Sequence, residues 1–388
     1  MSLLNAAPAY IRAIAPYQAG KPIGELAREL GLDENTIVKL ASNENPLGMS
    51  PQAQAALQSA VADLVEMGRY PDSNGFALKS AISQKFAVPE SWITLGNGSN
   101  DILELSARAL LNPGKAAVFS QHAFAVYPLA TQATGAQCVE VPAVSSGPNR
   151  FGHDLPAMLA TIKANPDVGL VFVANPNNPT GTFIPPAQLA EFLQGVPAHV
   201  LVVLDEAYNE YLPPECRFNA VEWVRQYPNV ILSRTLSKAY GLAGLRIGFA
   251  IAQPEVTDLL NRVRQPFNVN SLAQAAAVAA LADSAFLERT YQLNRAGLAQ
   301  ITTGLEALGL AYVPSQANFI LFKACKDDSG AADAGQQVFQ ALLRAGVIVR
   351  PVGSYGLPQW LRVSIGLPEE NTCFLEALKQ IIESGVGQ

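Results

Sequence analysis

One lysine of the chain lies in a setting suited to covalent chemistry. Lys238 follows the apolar run 230–232, among hydroxyls and glycines, and Arg246 follows eight residues later. Upstream, Asp205 ends a second apolar run, 199–204. A lysine amine must lose its proton before it attacks an aldehyde, and burial or a neighbouring cation promotes that loss. The three residues together therefore favour an aldehyde cofactor with a phosphate tail, held as a Schiff base on Lys238.

Pyridoxal phosphate (PLP) is the cofactor that fits this grouping. Asp205 would pair with the pyridine nitrogen and keep it protonated, which makes the ring an electron sink. Tyr208 and Asn178 are candidates to hydrogen-bond the 3-oxygen of the ring, and Phe124 is a candidate to stack on its face. A turn role for Asn178 and a core role for Phe124 are the open alternatives.

The phosphate of such a cofactor requires hydrogen-bond donors. Ser99 and Asn100 precede a predicted helix that starts near residue 101, and the free backbone N–H groups at a helix N-terminus favour an anion. Ser237 adds a hydroxyl group and Arg246 a guanidinium group suited to phosphate. These four residues form the predicted phosphate site.

Two arginines near the C-terminus suggest a second anion site. Arg350 and Arg362 each lie at or within an apolar, strand-like run. An arginine in such a run is seldom buried without an anion, so we expect an anion site between two domains. A solvated position at a sheet edge is the alternative for both residues.

The segments that must position these residues alternate in type between residues 92 and 250. Short apolar runs with the character of buried strands cover 92–95, 116–119, 169–174, 200–204 and 230–232, and segments such as 101–111 and 186–194 have helical spacing. This alternation predicts an α/β fold with a mostly parallel sheet flanked by helices, in which ligands bind beyond the carboxyl ends of the strands. The polar motifs follow directly after predicted strands.

The pattern changes after about residue 266. Residues 271–308 predict one or two long helices, followed by strands at 319–322, 347–350 and 361–365 and by helices at 335–344 and 369–383. We interpret 46–270 as a large cofactor-binding domain. Residues 1–45 and 271–388 then form a smaller α+β domain together with an N-terminal segment.

Composition excludes several other classes of protein. The chain has 388 residues, a net charge of −6 and no basic cluster, which argues against a nucleic-acid partner. No apolar run is long enough for a membrane span and no signal peptide is visible, so we expect a cytoplasmic protein. The four cysteines are far apart, and the three histidines, His122, His153 and His199, are dispersed. We therefore expect no metal site, no disulfide framework and only structural roles for these residues.

Seven motifs, in this order, give the chain a family resemblance. They are LASNENPLG at 40–48, RYPD at 69–72, NPNNPTG at 175–181, DEAY at 205–208, TLSKAYGLAGLRIG at 235–248, ANFIL at 317–321 and LRVSIG at 361–366. With these motifs the chain resembles the fold-type I, aspartate-aminotransferase-like PLP enzymes, and within them the histidinol-phosphate aminotransferases. The resemblance extends over nearly the whole chain and implies an aminotransferase of histidine biosynthesis.

The resemblance also implies roles that spacing alone does not give. It makes Lys238 the proton shuttle of the reaction and places Tyr70 of the RYPD motif on the phosphate of the neighbouring subunit, so that a homodimer shares its active sites. Arg362 would bind the substrate carboxylate, and together with Arg350 it would accept the phosphate of histidinol phosphate. Tyr17 is a further candidate for that phosphate.

Departures from the family pattern leave the substrate open. Phe124 stands where many relatives have tyrosine, and Ser99 and Asn100 stand in a loop that often reads Gly-Ala-Asp-Glu. Two segments, 121–127 and 17–23, resemble a subgroup that acts on aromatic amino acids. A phenylalanine or tyrosine aminotransferase is therefore the first alternative, and a PLP decarboxylase or lyase on the same fold is the second. A non-enzymatic regulator is disfavoured, because the 45 or so residues before the shared motifs are too short and too weakly basic for a DNA-binding domain.

Overall fold

The structure of the protein is a computed structural model that describes residues 3–17, 20–62, 68–326 and 330–387. Within these residues the strands are β1 (Val38–Lys39), β2 (Ile93–Gly96), β3 (Ala116–Ser120), β4 (Gln137–Val141), β5 (Val168–Ala174), β6 (Leu201–Asp205), β7 (Val230–Thr235), β8 (Gly248–Ile251), β9 (Tyr312–Val313), β10 (Phe319–Lys323), β11 (Val347–Ile348), β12 (Arg350–Pro351) and β13 (Trp360–Ser364). The helices of the same ranges are α1 (Leu3–Ala6), α2 (Ala9–Arg12), α3 (Ile23–Leu30), α4 (Pro51–Ala62), α5 (Phe76–Phe86), α6 (Ser99–Leu110), α7 (Val126–Ala133), α8 (Leu155–Ala164), α9 (Pro186–Gly195), α10 (Val221–Gln226), α11 (Pro254–Val263), α12 (Ser271–Ala282), α13 (Ser284–Ala307), α14 (Ala334–Arg344) and α15 (Pro368–Glu383).

A seven-stranded sheet in the order β2-β8-β7-β6-β5-β3-β4 forms the centre of the larger unit. The pairs β3–β4, β3–β5, β5–β6 and β6–β7 are parallel. Strand β8 runs antiparallel to both of its neighbours, β7 and β2. The predicted mostly parallel α/β sheet is thus confirmed, and the antiparallel strand β8 is an element that the sequence pattern did not indicate.

The central strands are apolar because both faces of the sheet are covered by helices. Along β5, Val171 belongs to the apolar cluster on one face and Phe172 to the cluster on the other. Along β6, Val202 and Val203 divide in the same way. Successive side chains of a strand point to opposite faces, so a strand buried on both sides shows a continuous apolar run.

The long helical stretch after residue 270 is two helices, α12 and α13, with Asp283 between them. The Asp283 side chain accepts from the Phe286 backbone N–H at 3.0 Å and so caps α13. The alanines of α12 are part of the apolar cluster of the larger unit. Leu298 and Ile301 of α13 instead belong to the core of the smaller unit. We therefore propose that the division between the domains, expected at residue 270, lies near Asp283.

The smaller unit is built on an antiparallel sheet in the order β12-β13-β10-β9, beside the parallel pair β1–β11. The run 347–350, which we expected to be a single strand, forms two short strands in different sheets. In the antiparallel sheet Arg350 of β12 lies directly opposite Arg362 of β13. Their side chains therefore project from the same face of the sheet.

None of the helices in the described ranges is long and apolar enough to cross a membrane.

Candidate active site

A cavity of about 260 Å³ opens at the carboxyl ends of the central strands. Twelve of the thirteen residues predicted as site residues line it: Tyr17, Ser99, Asn100, Phe124, Asn178, Asp205, Tyr208, Ser237, Lys238, Arg246, Arg350 and Arg362. The thirteenth, Tyr70, does not. The lining combines loops that follow β2, β5, β6 and β7 with residues of the smaller unit, so the cavity lies between the two apolar cores.

Lys238 lies in the loop that follows β7, at the floor of the cavity. Its Nζ donates to the Ser42 carbonyl at 2.9 Å. Burial, and next the positive charge of Arg362, lower the pKa of Lys238 to about 8. The amine is therefore much closer to its unprotonated, nucleophilic form than an exposed lysine is.

Asp205 ends β6 and is buried. Its Oδ2 accepts from the Tyr127 hydroxyl at 2.9 Å. Its Oδ1 has no hydrogen-bond partner among the described residues. Burial raises the pKa of Asp205 to about 6, against hydrogen bonds from Tyr127 and the Ala207 backbone that lower it. A buried carboxylate oxygen without a donor is costly, and the protonated nitrogen of a pyridine ring is a donor that would satisfy it.

A candidate anion site lies at the N-terminus of α6. Gly98 has a φ of 84°, and a Cβ on it would lie 2.5 Å from Nη2 of Arg246. The absence of a side chain at this glycine therefore lets the guanidinium approach the helix N-terminus at Ser99. Arg246 also approaches the Ser237 hydroxyl at 3.4 Å. Backbone N–H groups, a hydroxyl and a guanidinium are donors that fit a phosphate.

Tyr208 and Asn178 lie on the side of the cavity nearest the smaller unit. The Tyr208 hydroxyl accepts from Asn43 Nδ2 at 3.0 Å, and burial raises the pKa of Tyr208 to about 12. Tyr208 therefore keeps its proton and can donate it to a ring oxygen. Asn178 Oδ1 accepts from Nη1 of Arg362, which leaves the amide nitrogen of Asn178 for a ligand.

The two arginines of the smaller unit, Arg350 and Arg362, line the same side of the cavity as Asn178. Arg362 is buried, and its Nη2 donates to the Ala41 carbonyl at 2.7 Å. Its Nε has no partner in the described part of the chain. The Arg350 guanidinium lies 5.6 Å from the ring centroid of Tyr17. Like charges directly opposite each other in an antiparallel pair repel, so this side of the cavity is suited to an anion between or beside them.

Tyr70 lies outside the cavity, and 81% of its surface is exposed. Its ring stacks on Phe267, with 4.6 Å between the ring centroids. Phe267 is itself 41% exposed. The single chain thus presents the two rings on its surface, where a second subunit would be able to receive them.

Among the cavity residues that were not predicted as site residues, three lie against predicted ones. Tyr127 bonds Asp205, Asn43 bonds Tyr208, and Tyr355 lines the wall near the arginines. Asn43 lies in the motif at 40–48 and Tyr127 in the segment 121–127, but neither was assigned a role in the site from sequence.

The histidines lie apart from one another. His122 is buried, and its Nδ1 forms a hydrogen bond with the Tyr355 carbonyl at 2.5 Å. His153 is also buried, and burial lowers its pKa to about 4. His199 is exposed. Their structural roles stay a prediction.

Residues 35–378 match the family described as aminotransferase class I and II. The chain is 62% identical, over 379 residues, to histidinol-phosphate aminotransferase 2 of Ralstonia nicotianae, and the match covers 98% of each chain. Among solved structures it is similar to the histidinol-phosphate aminotransferase of Sinorhizobium meliloti in complex with pyridoxal-5'-phosphate, with a TM-score of 0.87, 28% identity and 97% of each chain covered. An aspartate aminotransferase mutant of Thermus thermophilus superimposes with a TM-score of 0.81 at 25% identity, over 97% of this chain and 99% of the other.

Proposed function

The chain belongs to the aminotransferase class I and II family, and from this premise we propose that it is a PLP-dependent histidinol-phosphate aminotransferase. It interconverts histidinol phosphate and 2-oxoglutarate with imidazole-acetol phosphate and glutamate. The observation that supports this assignment most strongly is 62% identity to a histidinol-phosphate aminotransferase over 98% of both chains.

The residues of the cavity fit PLP at three points. The unpartnered Oδ1 of Asp205 fits the ring nitrogen, the lowered pKa of Lys238 fits attack on the aldehyde, and the cradle around Gly98 fits the phosphate. Bound PLP supplies an electron sink for the pair left when a proton leaves the substrate carbon. These three fits support the site assignments.

Each residue then has a defined task. Asp205 keeps the ring nitrogen protonated, while Tyr208 and Asn178 donate to the ring oxygen and Phe124 covers the ring face. Lys238 would hold the cofactor through its Nζ and, when that amine is free, would carry the proton to and from the substrate carbon. Its weakened basicity suits both the uptake and the release of that proton.

The phosphate groups have separate binding sites. The N–H groups of Ser99 and Asn100, the Ser237 hydroxyl and Arg246 hold the cofactor phosphate. Arg350 and Arg362, which lie directly opposite each other on one face of their sheet, hold the anionic group of the substrate. Tyr17, whose ring lies under the Arg350 guanidinium, lines the cavity beside it.

We also propose a homodimer in which Tyr70 binds the cofactor phosphate of the neighbouring subunit. The exposed rings of Tyr70 and Phe267 support it, because they present apolar surface that a second subunit can cover. A cytoplasmic location follows from the substrate, since a phosphate ester does not cross membranes unaided and is used in the compartment that makes it.

The shared site is tested by mixing two inactive variants, Tyr70→Ala and Lys238→Ala, after unfolding and refolding together. Random pairing makes about half of the dimers mixed, with one intact site in each, so about a quarter of the activity should return. If Tyr70 acted within its own subunit, neither site of a mixed dimer would be intact and no activity would return.

The substrate is tested by single additions to the loaded enzyme. Histidinol phosphate, phenylalanine and glutamate are added separately, and the loss of the visible absorbance of the bound cofactor is followed. We expect fast loss with histidinol phosphate and glutamate and slow loss with phenylalanine. The reverse order would make the protein an aromatic aminotransferase, and turnover without a keto acid would make it a lyase or decarboxylase. A purified protein without PLP absorbance, or normal turnover by Lys238→Ala, would refute the proposal altogether.

A further inference from the structure

Tyr127 is a buried side chain of the cavity that the proposed reaction does not yet use. It lies in the first turn of α7 and has no exposed surface. Its hydroxyl donates to Oδ2 of Asp205 at 2.9 Å. Among the described residues, Tyr127 is the one side chain that donates a hydrogen bond to the Asp205 carboxyl group.

Aromatic packing fixes the position of that hydroxyl. The Tyr127 ring stacks on Phe172 of β5, with 4.6 Å between centroids and 3° between planes. On its other side it meets Phe124 edge to face, at 5.9 Å and 90°. A ring held by two aromatic neighbours has little freedom to rotate, so packing rather than solvent sets where the hydroxyl points.

The charge state of the pair is also defined. Burial raises the pKa of Tyr127 well above its usual value, so the hydroxyl remains a donor at all working pH values. The other titratable groups facing Asp205 are Tyr208 and Glu206 of the loop after β6. Burial keeps Tyr208 protonated as well, and Glu206 bonds Arg234 of β7. Tyr127 is therefore the side chain that fixes the orientation of the Asp205 carboxylate.

We propose that Tyr127 is a positioning residue for transamination, which holds Asp205 by Oδ2 so that Oδ1 is left to accept from the ring nitrogen of the cofactor. The inference rests on the proposed PLP site and is independent of the substrate. A carboxylate held by a fixed side-chain donor presents its second oxygen in one direction before the cofactor arrives, and this preorganisation lowers the cost of binding.

The perturbation is Tyr127→Phe, which removes one hydroxyl and keeps both ring contacts. Tyr211→Phe is the matched control, because Tyr211 is equally buried and its hydroxyl accepts from Asn318 at 3.3 Å, outside the cofactor cavity. Two readouts do not depend on turnover. The titration of the Asp205 carboxyl carbon is followed by ¹³C NMR in the cofactor-free protein and assigned with Asp205→Asn. PLP affinity is measured by titrating that protein with the cofactor.

We expect Tyr127→Phe to raise the pKa of Asp205 by about one unit and to weaken PLP binding by about tenfold to a hundredfold, the range for losing a hydrogen bond to a charged group. In the loaded enzyme the acid limb of the kcat profile should move to higher pH. Tyr211→Phe should change none of the three. The hydroxyl of 3-fluorotyrosine is a stronger hydrogen-bond donor than that of tyrosine. Placing 3-fluorotyrosine at position 127 should therefore lower the pKa of Asp205. This variant provides the test if Tyr127→Phe does not fold.

An Asp205 titration and a PLP affinity unchanged in folded Tyr127→Phe, or unchanged with 3-fluorotyrosine, would overturn the inference and leave the proposed function intact. Failure of the unsubstituted protein to bind PLP would instead overturn the proposed function itself.

Discussion

Replacing Asp205 by asparagine should stabilise the cofactor-free protein while it damages the loaded enzyme. Burial raises the pKa of Asp205 from 3.8 to about 6. A carboxyl group whose pKa is higher in the folded protein stabilises the fold while it is protonated, and it loses that contribution as the pH rises through the folded value. Above pH 6 the cofactor-free protein therefore holds a charge in its core that the unfolded chain would solvate better.

The magnitude follows from the two pKa values. Relative to its contribution below pH 3.8, the carboxyl group lowers the free energy of unfolding by about 1.5 kcal/mol at pH 5 and by about 3 kcal/mol at pH 8. Asparagine is nearly isosteric, can still accept from the Tyr127 hydroxyl and carries no charge. The stability gained by Asp205→Asn should therefore increase by about 1.5 kcal/mol between pH 5 and pH 8.

Urea unfolding of the cofactor-free protein, followed by circular dichroism at both pH values and one protein concentration, measures this gain. Asp258→Asn is the control, because Asp258 is an exposed aspartate on α11 and its substitution should give no pH-dependent difference. PLP titration of the same proteins should show weaker binding by Asp205→Asn alone. A stability gain equal at the two pH values, or a loss of stability at pH 8, would refute the argument from desolvation.

Two further substitutions test the anion cradle and a buried charge cluster. Gly98→Ala should weaken PLP binding by at least about tenfold in a cofactor titration, because the new Cβ would collide with the Arg246 guanidinium. Gly31→Ala is the control. Gly31 also has a positive φ, 67°, but a Cβ there would meet nothing within 4 Å, so this variant should bind PLP normally. Arg234→Met should cost about 3–5 kcal/mol in urea unfolding at pH 8, because it leaves the buried Glu206 and the half-buried Glu210 without their partner. The loss should be smaller at pH 6, since burial raises the pKa of Glu206 to about 7 and the acid is then largely neutral; an equal loss at both pH values would contradict this account.

The sequence indicated the central strands because they are buried on both faces. The run 169–174 is apolar throughout and belongs to β5, whereas β4, an edge strand with one buried residue among exposed and half-buried ones, has no such signal. Strand β8 is short and begins at a glycine, and its antiparallel direction depends on pairing with β2 more than 150 positions earlier in the chain. Such pairing is a property of the whole sheet and is not encoded in the local pattern.

The candidate site was indicated where a residue type has few uses after a strand, as with Lys238 and Asp205. It was missed where an ordinary core residue acquires a task by contact. Tyr127 resembles any buried aromatic residue until the sheet brings it to Asp205, 78 positions later. Asn43 likewise reaches Tyr208 and also bonds Ser364, 321 positions away, so its role appears only when both units are assembled.

The same contacts explain why the cavity is costly to maintain without ligands. Asp205 Oδ1 and Arg362 Nε are buried polar atoms with no partner in the described residues. Each of these features opposes folding when the cavity holds no ligand, and each is relieved by an opposite charge that the cofactor or the substrate carries. The interactions that make the site selective for a protonated ring and an anionic substrate are therefore also those through which ligands stabilise the fold. Ligand binding at such a site is favoured because it pairs buried polar groups that lack partners, as well as because it adds new contacts.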